Sequence, residues 1–244
     1  MNIRTVAFAR CPRDGFTLLE LLVVMGIIAL LMGLLLQSLA RVRSLAREVA
    51  CQSNLKQLMT AVVLYASENR DYLPFPNVGL VENRSGLKGV FWGGAGWLYQ
   101  SPARSEPDDV MNGVLWPYLR NRSVYHCPND TEPWKWGSTN VLSSYMMNGA
   151  ACGFGRVAPA YKLSWMKSDW VCFVEADDLD VASEPTWDDG CVDPEDGNSA
   201  RHRGGSYVGC FDSHVEWISQ ADYDALSERK PSRVWCSPGT PTGE

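Results

Sequence analysis

Tryptophan and tyrosine are missing from the first 60 residues of this 244-residue chain, while all ten tryptophans lie between Trp92 and Trp235. That break separates an apolar helical segment from an aromatic-rich globular part. Excess positive charge is missing too, with a formal net charge of -6. Proteins that coat nucleic acid are normally basic because they neutralise phosphates, so no nucleic-acid partner is expected. The eight cysteines form no Cys-x-x-Cys pair, which argues against a zinc ribbon or a dithiol redox motif. A nucleophile elbow, a phosphate loop and a zinc-protease motif are also lacking, so the chain is not expected to be an enzyme.

What the chain does have begins at its N terminus. Residues 1–15 carry Arg4, Arg10 and Arg13 against one acid, Asp14. From Phe16 to Leu36 there follow 21 residues with a single charge, Glu20. At about 1.5 Å per residue a helix of that length spans the ~30 Å hydrocarbon core of a bilayer. Glu20 is the anomaly. An acid at the middle of a membrane helix costs about 2.5–3.5 kcal/mol on insertion scales. Glu20 lies about one turn inside the run, so it either reaches the interface or meets a positive group from another chain. A secretory signal cut after Ala40, at Ser38-Leu39-Ala40, is a rival reading, but the apolar stretch is too long for it and contains Glu20. An uncleaved signal anchor is another. Flanking charge does not orient the helix, because Arg41, Arg43 and Arg47 follow it.

The decapeptide Gly15-Phe16-Thr17-Leu18-Leu19-Glu20-Leu21-Leu22-Val23-Val24 resembles the prepilin cleavage and methylation motif of type IV pilins and type II secretion pseudopilins. The resemblance implies a membrane peptidase cut between Gly15 and Phe16, N-methylation of Phe16, and pairing of Glu20 with the terminal amine of a neighbouring subunit. Asp14 departs from the pattern, where a basic residue is common. An α-amino group is largely protonated near neutral pH, and pairing in low dielectric can offset the desolvation of both charges.

Beyond the apolar run, Leu39, Val42, Ala46 and Val49 recur at three- and four-residue spacing, and Cys51, Leu55, Leu58, Val62 and Tyr65 continue the stripe. This predicts an amphipathic helix that fades at Asn69-Arg70-Asp71, before Pro74. Farther on, Gly89–Trp92 suggests a short strand, Val114–Leu119 a helical turn, and Ser143–Asn148 and Trp170–Ala176 strands. Ser206–Phe211 and His214–Ile218 flank Asp212-Ser213 and predict a tight hairpin. A helix capped by Ser219 is expected to run to Glu228. The fold class is therefore α+β: a long N-terminal helix, half membrane and half amphipathic, packed on a C-terminal antiparallel head with long loops. The expected division is a leader at 1–15, a transmembrane assembly helix at 16–37, an amphipathic continuation at 38–70 and an extracytoplasmic head at 71–244.

A second resemblance lies in the head. His202, nine residues and Asp212 are similar to the C-terminal His-x9-Asp-Gly motif of prepilin-type, processing-associated proteins, with Ser213 where that motif has Gly. Cys127-Pro128-Asn129-Asp130 is similar to a Cys-Pro-Ser-Asp turn, and Cys51-Gln52-Ser53-Asn54 to a helix-closing stretch, in pseudopilin relatives. That likeness suggests a Cys51–Cys127 disulfide tying helix to head. His202, Asp212 and His214 as metal ligands make a weak signal against plain turn roles.

Major pseudopilins bind calcium in a C-terminal loop. By analogy Asp177, Asp178, Asp180, Asp188, Asp189 and Asp193 form a candidate Ca²⁺ cluster, set against ordinary solvated acidic loops. The tryptophans permit an alternative, a membrane-tethered protein binding glycan or another envelope ligand, although most tryptophans in such a domain are core. The resemblance implies a pilin-like structural subunit, single-pass in the inner membrane, with its head in the periplasm or outside the cell. Its implied partners are further copies, other pseudopilins, a prepilin peptidase, an inner-membrane assembly platform and lipid.

Overall fold

The computed structural model describes residues 17–77, 94–100, 107–130, 142–157, 159–175 and 190–244. Its first element is α1 (Leu18–Glu68), a 51-residue helix free of proline. The chain forms two separate compact units, Met1–Leu45 and Ala46–Glu244. The second unit thus begins within α1, because burial begins there: Glu48, Cys51, Leu55, Leu58, Met59, Val62 and Ala66 are buried at helical spacing. Arg70 ends the helix in the left-handed region at φ 57, and the Asp71 amide donates to the Ala66 carbonyl at 2.8 Å. This six-to-one bond is that of a Schellman closure, and it falls where the apolar pattern fades.

The head holds a five-stranded sheet among the described residues, in the order β3-β1-β2-β4-β5. The strands are β1 (Tyr145–Asn148), β2 (Val171–Glu175), β3 (Cys191–Val192), β4 (Gly205–Cys210) and β5 (Val215–Ser219). Neighbours pair antiparallel except β1 with β3, which is parallel. The central strands β1 and β2 are buried at every position, so they read as continuous apolar runs. One sheet face receives the α1 stripe. Leu55, Leu58, Met59 and Val62 share a core with Trp97, Tyr125, Tyr145 and Phe173. A side chain at Gly209 of β4 would stand 3.0 Å from Met59 Cγ, so the helix lies close against that strand. The other face packs Met146, Val174, Val208 and Ile218 against Tyr223 and Trp235. Tyr223 belongs to α3 (Gln220–Ser227), whose cap is Ser219, accepting from the Asp222 amide at 3.1 Å. A short helix, α2 (Trp116–Leu119), occupies the expected turn. The Gly89–Trp92 segment lies outside the described residues.

The β4–β5 connection differs from the tight hairpin that the pattern predicts. The Cys210 amide donates to the His214 carbonyl at 2.9 Å and closes a loop of three residues, Phe211, Asp212 and Ser213, not two. A two-residue turn of type I′ needs positive φ at both central positions, which Asp-Ser resists. The three-residue form needs it once. Ser213 takes that position at φ 71, where an L side chain is strained by about 1–2 kcal/mol. Ser213→Gly is therefore expected to raise stability by about 0.5–1 kcal/mol, net of the greater freedom glycine gives the unfolded chain. The urea midpoint, followed by tryptophan fluorescence, measures it. A lowered midpoint would mean that the serine side chain compensates its own strain.

Candidate functional site

Chemistry is carried by two groups of residues, one at the start of α1 and one buried in the head. At the start of α1, Thr17 and Glu20 cap each other. The Thr17 amide and hydroxyl both donate to Glu20 Oε2 at 2.9 Å, and the Glu20 amide donates to Thr17 Oγ1 at 3.2 Å. This is the reciprocal capping box, written in the sequence as Thr-x-x-Glu. It gives Glu20 a local role that reading it only as a membrane anomaly misses. Glu20 Oε1 takes no hydrogen bond from the described residues. From Leu18 to Arg47 every side chain is exposed, so Leu39, Val42 and Ala46, like Val49 beyond them, remain uncovered. The helix is long and apolar enough to cross a membrane, with a mean hydropathy of 2.7 in its most apolar stretch. A Cβ placed at Gly26 or Gly33 would meet nothing within 4 Å, which leaves room for close approach of another helix. Gly15 and Phe16 lie outside the described residues.

The buried group joins four parts of the head's compact unit. Cys51 comes from the α1 stripe, Cys127 from the turn after a 3₁₀ segment at Arg122–Tyr125, Glu175 from the end of β2, and His202 from the turn before β4. Their ligand atoms all lie within 4.8 Å of one another. Cys51 Sγ donates to Glu175 Oε1 at 2.7 Å, Cys127 Sγ contacts His202 Nε2 at 3.3 Å, and His202 Nε2 stands 3.2 Å from Glu175 Oε1. Glu175 is 0% exposed, and His202 and Cys127 are 1% exposed. Cys51 and Cys127 are both free thiols in this arrangement, where the family likeness suggests a disulfide between them.

Charge in this pocket is shared among the groups. The neighbouring Cys51 thiol pulls the Cys127 thiol down, and contact with His202 adds to it. Cys51 moves the other way, pushed up by its closeness to Cys127 and by burial. Burial pulls His202 down, but the hydrogen bonds to Cys127 and Glu175 outweigh it and leave the imidazole raised to about 9. Further donors surround the group. Tyr145 Oη reaches Cys51 Sγ at 3.2 Å, and the Asn129 amide reaches Cys127 Sγ at 3.4 Å. Ser199 Oγ and the Tyr207 amide reach Glu175 at 3.1 and 3.3 Å.

The geometry is not that of a nucleophile relay. In a Cys-His-acid relay the acid holds the ring nitrogen opposite the one facing the thiol. Here Glu175 and Cys127 address the same nitrogen, Nε2. The four ligand atoms instead form one compact cluster, each within 4.8 Å of the others.

The remaining sequence candidates are placed elsewhere. His202 enters the buried group, whereas Asp212 accepts from the His214 ring and amide in the hairpin turn. Asp212 and His214 thus serve the turn. Cys210, His214 and Glu216 also converge, but Arg233 already holds Glu216 and contacts Cys210. Asp193 caps a short 3₁₀ segment with Asp196, and burial pushes its carboxyl up. Neighbouring Glu195 pairs with Lys230 at 3.2 Å. Asp177, Asp178, Asp180, Asp188 and Asp189 lie outside the described residues. Trp97 is fully buried and donates to the Gly190 carbonyl, while Trp165 and Trp217 are exposed.

Comparison with known proteins bears on the N terminus. The family model of the prokaryotic N-terminal methylation motif matches residues 11–36, a stretch that contains Gly15, Phe16 and Glu20. The chain is pilin-like at its N terminus. No curated protein and no solved structure matches it. The match covers the exposed apolar part of α1, and the head of this pilin-like chain stands on its own geometry.

Sequence reasoning missed two acids in that head. Glu175 closes the strand Val171–Glu175, and an acid ending so apolar a run was the available signal. Glu48 sits on the buried face of α1, one turn before Cys51. It accepts from Arg203 Nε at 3.1 Å and from a second guanidinium nitrogen at 2.6 Å. This forked pair ties the helix to the His202 turn. Its carboxylate is largely buried while Arg203 is 69% exposed, so the pair falls between surface and interior behaviour. Arg203→Met should cost about 1–2 kcal/mol, chiefly by leaving the Glu48 carboxylate unpaired. Glu48→Gln with Arg203→Met should cost less than the sum of the single changes. Urea denaturation of all four proteins measures the coupling, and additive costs would show that the pair contributes nothing.

Proposed function

We propose that this chain is a structural subunit of a type II secretion pseudopilus or type IV pilus-like fibre, processed between Gly15 and Phe16 and assembled through α1. The observation that carries the reading is one carboxylate, Glu20, near the start of the uncovered apolar run of α1, inside a methylation motif. An apolar surface of that extent is stable only in lipid or against other helices. In the membrane it anchors the subunit with its head in the periplasm or outside the cell. In a fibre the same surface packs against neighbouring copies. Glu20 Oε2 is engaged by Thr17, and Oε1 is available to the terminal amine of the next subunit. Pairing there favours one stagger between chains, because any other leaves a charge unpaired in low dielectric. The head has the role of a folded block carried outward, and no chemistry is assigned to it in this reading.

The capping box sharpens the test. Glutamine at the N3 position of a helix still caps but carries no charge. Glu20→Gln and Glu20→Ala are both expected to cut the sheared or sedimentable fibre fraction by about tenfold or more, as loss of a charge pair in lipid requires. The membrane-inserted, processed monomer should persist, with intact mass beginning at Phe16. Assembly of Glu20→Gln at the level of the unchanged protein would sink the charge pairing. Mature material beginning at Met1 would sink the processing.

A further inference from the structure

We infer that Cys51, Cys127, His202 and Glu175 form a closed tetrahedral site for one zinc ion, locking α1 to the sheet of the head. The case begins with donor type. Two sulfurs, one imidazole nitrogen and one carboxylate oxygen suit zinc, whereas calcium and magnesium take oxygen shells. Geometry comes next. Zinc bond lengths of about 2.0–2.3 Å at tetrahedral angles put neighbouring ligand atoms about 3.3–3.8 Å apart. Cys127 Sγ to His202 Nε2 is 3.3 Å and His202 Nε2 to Glu175 Oε1 is 3.2 Å. The Cys51–Glu175 contact, 2.7 Å, widens by under about 1 Å when a metal replaces the shared proton. All four donor atoms fall within 4.8 Å of one another.

The surroundings are those of a metal site as well. Metal-bound histidine usually hydrogen-bonds its second nitrogen to an oxygen. His202 Nδ1 faces the Asn129 side-chain amide at 3.4 Å, and turning that amide over presents its oxygen to a ring N–H. The Tyr145 hydroxyl and the Asn129 backbone amide each address one sulfur, and Ser199 holds the far oxygen of Glu175. With four protein ligands, all buried, the site has no open position and acts structurally. Binding releases whatever protons the thiols and the imidazolium still carry, and leaves two thiolates, a neutral imidazole and a carboxylate around the ion.

The rival state is a Cys51–Cys127 disulfide, so the experiment reads metal and thiols together. The full chain is extracted in detergent from membranes through a tag without histidine. Elemental analysis after dialysis is expected to give about one zinc per chain, with Cys51 and Cys127 alkylatable only after a chelator is added under denaturant. Cys127→Ser and His202→Ala should reduce the zinc below about a fifth of that, and Asn129→Ala should weaken affinity about tenfold. Because those variants can fail to fold, cobalt exchange into the unaltered chain provides a second readout. It should give intense visible bands and a near-ultraviolet thiolate charge-transfer band. A metal-free chain with Cys51 and Cys127 disulfide-linked in its peptide map would overturn the proposal. So would zinc retained in full by the folded variants, or a cobalt spectrum without the thiolate band.

Discussion

A continuous helix that must satisfy two surroundings is the constraint on which this structure depends. Up to Arg47 the side chains of α1 are exposed, and its apolar run carries one acid. From Glu48 onward one face is buried and the other remains exposed. A helix that is apolar all round needs lipid or other helices, and one with a single apolar stripe needs a sheet. The change occurs over about a turn, which is why the head's compact unit starts at Ala46, well before the helix ends. The stripe then sets the rest of the head. It covers one face of the sheet, brings Met59 against Gly209 and places Cys51 beside Glu175.

Polar groups on the same helix fix how the stripe seats. Apolar burial supplies most of the free energy but is not directional. Asn54 donates to the Ser123 and His126 carbonyls at 3.1 and 2.8 Å, and Lys56 donates to the Ser213 carbonyl at 2.6 Å. With the Glu48–Arg203 fork, these bonds hold the helix against the turn preceding Cys127, the β4–β5 hairpin and the His202 turn. The last two are the places where the sequence likeness in the head had its paired residues. His202 and Asp212, with nine residues between them in the chain, bracket β4 and take different partners, one in the interior and one in an exposed turn.

The local elements were legible because they are written in short-range patterns. The stripe of Cys51, Leu55, Leu58 and Val62 is buried as its spacing predicts, with Tyr65 only half-buried near the helix end. The strands at Tyr145–Asn148 and Val171–Glu175 and the Ser219 cap fall where the apolar runs and the serine place them. Two features were legible but differently built. The hairpin takes a three-residue loop because Asp-Ser resists the two-residue turn. The sheet admits one parallel pair, β1 with β3, because β3 lies far along the chain and joins the edge from outside any hairpin.

By itself the sequence determined the apolar span, its single acid and the methylation motif around it, along with the helical and strand periods of the head. Each of these depends on residues within a few positions of one another. The interior of the head was decided only by tertiary structure. Cys51 and Glu175 stand 124 positions apart, and Cys127 and His202 stand 75 apart. No periodicity links such positions, so their meeting in one cluster follows from how the helix, two turns and a strand end pack together.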